Sequence, residues 1–168
     1  EGLGNDFMLV DARSTEQAPE LDLDSATLRS LADRRRGVGF DQLLLLRPNE
    51  QAAFEVVIHN ADGSPAEQCG NGMRALAAWL DARGELPDAG LTVTTAAGLV
   101  DLARAAPIDG MPAWSAELPG VEIISGDGLR REVRLGNPHR VLRVETPPDG
   151  ARLTAAFDSE PGAAEVNL

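Results

Sequence analysis

The chain has 168 residues, with 27 acidic and 15 basic side chains and a formal charge of −12 at pH 7. That length suits one domain, or one and part of another, and so acidic a surface repels phosphate backbones, which speaks against nucleic-acid partners. Every basic side chain is Arg and there is a single Cys, so the sequence offers no Walker-type phosphate loop, no Schiff-base lysine, no internal disulfide and no Cys-rich zinc site.

Phe7 to Asp11 reads as a short apolar strand. Asp24 or Ser25 can cap a helix that carries Leu28, Leu31 and Ala32 on one face. That helix is expected to stop at Gly37, with Arg34, Arg35 and Arg36 complementing its C-terminal dipole or, alternatively, binding an anion. Gln42 to Leu46 is a continuous apolar strand, expected to be buried on both faces. Phe54, Val56 and Ile58 alternate with Glu55, Val57 and His59 in strand period, and Asn60-Ala61-Asp62-Gly63-Ser64 follows as a turn. Met73, Leu76, Ala77 and Leu80 then recur at i, i+3, i+4 and i+7, an amphipathic helix ending near Gly84. Leu91 to Thr95 and Leu99 to Leu102 read as a hairpin around Ala96-Ala97-Gly98.

Pro107, Pro112 and Pro119 mark a shift in composition, and the expected division is 1–106 and 107–168. Short strands are expected at Val121–Ile124, Glu132–Leu135 and Val141–Glu145, with Gly136-Asn137-Pro138-His139 as a turn. Many short strands and few helices favour an α+β fold. No apolar run nears the roughly 18 residues of a membrane span, so no membrane partner is expected and the cytoplasm is the expected compartment.

Cys69 is the centre of chemical interest. It stands between a turn and a helix and is followed by Gly70, Asn71 and Gly72. A thiol there meets unpaired N–H groups and the positive end of the helix dipole, which predicts a lowered pKa and a reactive thiolate. The same N–H groups suit a bound carboxylate. An inert, buried Cys is the alternative reading of this position. His59 and His139 are candidate base partners for the thiol, although His59 also reads as an ordinary strand residue. The two His residues lack metal-ligand spacing, so no metal is expected.

Five segments in order resemble the diaminopimelate epimerase family. They are Gly2-Leu3-Gly4-Asn5-Asp6-Phe7, Gly37-Val38-Gly39-Phe40-Asp41-Gln42, Asn60-Ala61-Asp62-Gly63-Ser64, Cys69-Gly70-Asn71-Gly72-Met73-Arg74 and Gly136-Asn137-Pro138-His139. The related racemases usually have His where Asn71 stands, which favours the epimerase. The resemblance implies two similar lobes, each a sheet wrapped around a central helix, with substrate between them. It implies a cofactor-independent, two-base interconversion of LL- and meso-diaminopimelate. In that chemistry Cys69 is one of two acid/base thiols, and the backbone of Gly70 and Asn71 binds the substrate's α-carbon substituents. Asn5, Gln42, Asn60 and Asn137 match substrate-contacting positions, and Asn167 in Val166-Asn167 resembles a later one. A Glu-Arg clamp and a second Cys-Gly motif are not in the sequence, so the chain is expected to be an N-terminal fragment that is inactive alone. Diaminopimelate is the expected partner, and a homodimer is left open. A racemase or phenazine-type isomerase of the same fold, or a non-catalytic binding module, is the competing reading.

Overall fold

The computed structural model describes residues 4–14, 23–126 and 130–142. The first unit carries β1 (Phe7–Asp11), α1 (Ser25–Ala32), β2 (Gln42–Arg47), β3 (Glu55–Asn60) and β4 (Pro65–Ala66). It continues with α2 (Gly70–Ala82), β5 (Leu91–Thr95), β6 (Gly98–Ile108) and β7 (Met111–Glu117). Its strands form one seven-stranded sheet in the order β1-β2-β3-β5-β6-β7, with β4 on β3. The β1–β2 and β3–β5 pairs are parallel, and the other neighbours are antiparallel. α2 packs against β1 at one end of that order and against β6 and β7 at the other. A sheet whose first and last strands both touch one helix has to curl around it, as expected of this α+β fold.

β2 explains the two-sided build. Leu43, Leu44, Leu45 and Leu46 are each 0% exposed. Successive strand side chains point to opposite faces. Leu44 and Leu46 therefore join Val56, Ile58, Met73, Leu76 and Leu80 in the core around α2. Leu43 and Leu45 join Leu28, Ala32 and Phe40 in a second core beneath α1.

α1 is capped by Asp24, whose Oδ1 accepts from the Thr27 N–H at 2.8 Å. It ends at Ala32, earlier than expected, because Asp33 Oδ1 takes the N–H groups of Arg35 (2.7 Å) and Arg36 (3.1 Å) and turns the chain. The Arg run thus lies beyond the helix, and Arg29 is the basic residue of its last turn. Dipole complementarity by Arg34, Arg35 and Arg36 is not what the structure shows.

The chain divides after Pro119 rather than after residue 106. The proline-rich stretch is a β6–β7 hairpin reversing at Asp109-Gly110. Pro107 falls where the register shifts between Ala105 and Ile108, and Pro112 lies in the terminal strand β7. Bulges and edge strands both tolerate a missing N–H.

The second unit, Gly120 onward, contains β8 (Glu122–Gly126), β9 (Arg130–Leu135) and β10 (Asn137–Leu142) as an antiparallel sheet in the order β10-β9-β8. Gly136, at φ 71°, makes the reversal. Asn137, Pro138 and His139 are in β10, paired with Leu135, Arg134 and Val133, instead of forming a turn. Asn167 lies outside the described residues.

The turn after β3 presses on α1. Gly63 has φ +83°, and a Cβ there would lie 2.7 Å from Ser25 Cα. Ser25 Oγ donates to the Gly63 carbonyl at 3.2 Å. Gly63→Ala is expected to lower stability by about 1–3 kcal/mol in urea unfolding. An unchanged midpoint would contradict this packing.

Candidate active site

Strand register gathers the polar positions before any side chain is considered. Phe7 pairs with Gln42, and Gln42 pairs with Asn60. The start of β1, the start of β2 and the end of β3 therefore share one end of the sheet. By strand alternation Gln42 and Asn60 lie on the face of Leu44 and Ile58, toward α2. The Gln42 carboxamide donates to Asn60 Oδ1 at 2.9 Å. Asn60 Nδ2 donates to Ser64 Oγ at 3.0 Å, and Ser64 Oγ donates to Asp62 Oδ1 at 2.6 Å. Ser64 holds the Asp62 carboxyl below its usual range through side-chain and backbone hydrogen bonds. The turn therefore fixes the Asn60 carboxamide as well as reversing the chain.

α2 begins at the same end. Cys69 is its N-cap, with extended backbone (φ −148°, ψ 99°), and its Sγ accepts from the Gly72 N–H at 3.3 Å. Cys replaces the usual Ser, Thr, Asp or Asn in that role. A Cβ on Gly72 would meet Cys69 Sγ, Leu44 Cδ2 and Phe7 Cε1, each at 3.3 Å. The glycine lets the helix N-terminus seat directly against β1 and β2. Asn71 Nδ2 then donates to Asn5 Oδ1 at 3.0 Å. Asn5, Cys69, Gly70 and Asn71 thus share one end of the first unit with Gln42 and Asn60.

A second set of residues holds this end together, and sequence reasoning missed it. Asp41 Oδ2 accepts the Asp6 N–H at 2.8 Å, and the Asp41 N–H donates to the Asp6 carbonyl at 2.9 Å. Arg34 donates to Asp6 Oδ2 at 2.6 Å and to Asp41 Oδ1 at 3.0 Å. The Asp6 N–H, with Arg34 and Asn5, keeps the Asp41 carboxyl below its ordinary range. Arg74 donates to Asn71 Oδ1 from one turn into α2. The i, i+3 spacing of Asn71 and Arg74 was the available signal for that contact.

The expected thiol pKa is reversed. The Gly72 and Asn71 N–H groups and the Arg74 charge all act to lower it, as foreseen. Burial of Cys69 outweighs them and pushes the thiol up. His59 is not placed as the base either. It pairs with Leu43 and shares the α1 face of the sheet, whereas α2 lies on the other face. His139 and Asn137 belong to the second unit.

A shallow hollow between Asp81, Arg104, Pro107 and Trp114 lies elsewhere. Asp81 stands roughly 18 Å along α2 from Cys69 at 1.5 Å per residue. Arg104 (2.5 Å) and the Trp114 indole N–H (3.0 Å) both donate to Asp81 there, which ties α2 to the β6–β7 hairpin.

This fold is shared with a solved hydroxyproline epimerase from Agrobacterium vitis, at TM-score 0.53 and 17% identity over 86% of this chain and 46% of that one. The curled sheet and its central helix thus define a fold in which an amino-acid epimerase is known. The sequence model of the diaminopimelate epimerase family matches residues 1–106, and the chain belongs to that family. The diaminopimelate epimerase of Alkalilimnicola ehrlichii is 42% identical over 86% of this chain and 58% of its own length. That of Acinetobacter baumannii is 50% identical over 59% of this chain and 34% of its own. The chain therefore spans under two thirds of each of these relatives. Among the described residues no helix is long and apolar enough to cross a membrane.

Cys69 is the chain's single Cys, so its titration can be read directly. Iodoacetamide alkylation is expected to reach half its maximal rate above the free-thiol pKa of about 8.5. The folded state favours the neutral thiol. Its contribution to stability is thus complete below about pH 8.5 and is lost as pH rises through the raised value. A half-maximal pH below that of free Cys would contradict the dominance of burial.

Proposed function

We propose that this chain supplies part of the active site of a cofactor-independent epimerase that interconverts LL- and meso-diaminopimelate. The observation that carries the reading is Cys69 as the N-cap of α2, at the end of the unit where Asn5, Gln42, Asn60 and Asn71 gather. Family membership supports this reading.

One thiolate removes the α-proton, breaking the C–H bond and forming S–H. A thiol on the opposite face returns a proton to carbon and becomes thiolate. Cys69 is one of these groups. The second thiol is not within the 168 residues, which hold one Cys. Burial keeps Cys69 protonated at neutral pH, the state required of the proton donor. Its partner then acts as base, and the roles exchange in the reverse direction.

Negative charge grows on the α-carboxylate as the C–H bond breaks. The opening turn of α2, with Gly70 and Asn71, lies where backbone N–H groups and the helix dipole stabilise such charge. The carboxamides of Asn5, Gln42, Asn60 and Asn71 can donate and accept without ionising, which suits recognition of both ammonium and carboxylate. Asn137 and Asn167 are proposed to complete the substrate contacts.

The test is α-proton exchange in D2O by the whole protein that carries this sequence. LL-diaminopimelate is expected to exchange, and proline and hydroxyproline are not. Cys69→Ala is expected to slow exchange by about a hundredfold or more. Exchange that survives the substitution, or that prefers proline, would overturn the reading.

A further inference from the structure

Arg74 lies one helical turn inside α2, past Cys69, Gly70 and Asn71, and has been given no role in substrate contact or proton transfer. Its guanidinium donates to Asn71 Oδ1. That bond fixes the orientation of the Asn71 carboxamide, because the oxygen is committed to Arg74 and the nitrogen is turned to Asn5 Oδ1 at 3.0 Å. Asn5 in turn helps to hold the Asp41 carboxyl below its ordinary range. Arg74, Asn71 and Asn5 thus form a donor-to-acceptor chain. An amide has two ends and can be flipped, but a guanidinium at the start of the chain can only donate, so the Asn71 oxygen faces Arg74 and its nitrogen faces Asn5. Arg74 Nη1 also stands 3.8 Å from where a Gly70 Cβ would be, so the guanidinium lies against the opening turn of α2.

We propose that Arg74 is a positioning residue for this site, setting the direction in which Asn71 and Asn5 present their carboxamides and holding a fixed cation beside the first turn of α2. The proposal rests on the epimerase reading for what those carboxamides contact. The arrangement itself does not depend on it. Arg74 is the charged side chain that acts on the Cys69 thiol, while the groups packed at Gly72 from β1 and β2, Phe7 and Leu44, are uncharged. Arg74 therefore has two separable effects, a directional one through Asn71 and an electrostatic one on Cys69. Lysine keeps the charge and loses the planar fork.

The experiment compares Arg74→Lys and Arg74→Gln in two assays. In the first, the pH profile of Cys69 alkylation is measured on the 168-residue chain. Arg74→Gln is expected to slow alkylation at pH 8 by about threefold and to move the profile upward, and Arg74→Lys to restore it. In the second, kcat and KM for LL-diaminopimelate are measured on the whole protein carrying this sequence. Both variants are expected to lower kcat/KM by roughly tenfold or more, since Lys does not rescue orientation. Adding either change to Asn71→Ala is expected to cost little further, because Arg74 acts on the substrate through Asn71. Alkylation profiles identical to wild type in Arg74→Gln, or full recovery of kcat/KM by Lys, would overturn the proposal. A wild-type protein that does not turn over diaminopimelate would overturn the epimerase reading instead, and the alkylation profiles would still decide whether Arg74 acts on Cys69.

Discussion

Leu43, Leu44, Leu45 and Leu46 are fully buried, so β2 has to be covered on both sides. α1 takes the odd-numbered face and α2 the even-numbered one. Everything at the candidate site inherits that parity. Gln42 shares the face of Leu44 and Leu46, and Asn60 shares that of Val56 and Ile58. A slip of one residue in either strand would turn its polar end residue away from α2. The apolar core therefore determines which side the carboxamides face. Their hydrogen bonds then refine the orientation within that limit.

The N-terminus of α2 meets a conflict between two effects. A helix start offers N–H groups and a positive dipole, both of which favour a thiolate. Seating that start against Phe7 and Leu44 through Gly72 removes water from the thiol, and desolvation favours the neutral form. Desolvation wins at Cys69. The balance of these opposing effects bears on the acid/base role proposed for Cys69.

Much of this was legible in the sequence. The unbroken apolar run of β2 announced burial on both faces, and the i, i+3, i+4, i+7 spacing of Met73, Leu76, Ala77 and Leu80 announced α2. Asp24 was legible as a cap. What escaped were interactions between segments distant in the chain. Arg34 reaches back to Asp6, 28 positions earlier, and a basic run after a helix looks the same whether it serves the dipole or a pair of carboxylates. Pro107 and Pro112 resembled a boundary because the sequence does not reveal that one sits at a register shift and the other on an edge strand. The thiol pKa depends on burial, and no local motif reports burial.

Substrate is proposed to bind at the end of the first unit where Cys69 caps α2. Backbone and side-chain amide NMR shifts of the whole protein, titrated with LL-diaminopimelate, test it most directly. The largest perturbations are expected at the Gly70 and Asn71 amides and at the carboxamides of Asn5, Gln42 and Asn60. Perturbations confined to the far end of α2, around Asp81, Arg104 and Trp114, would contradict it.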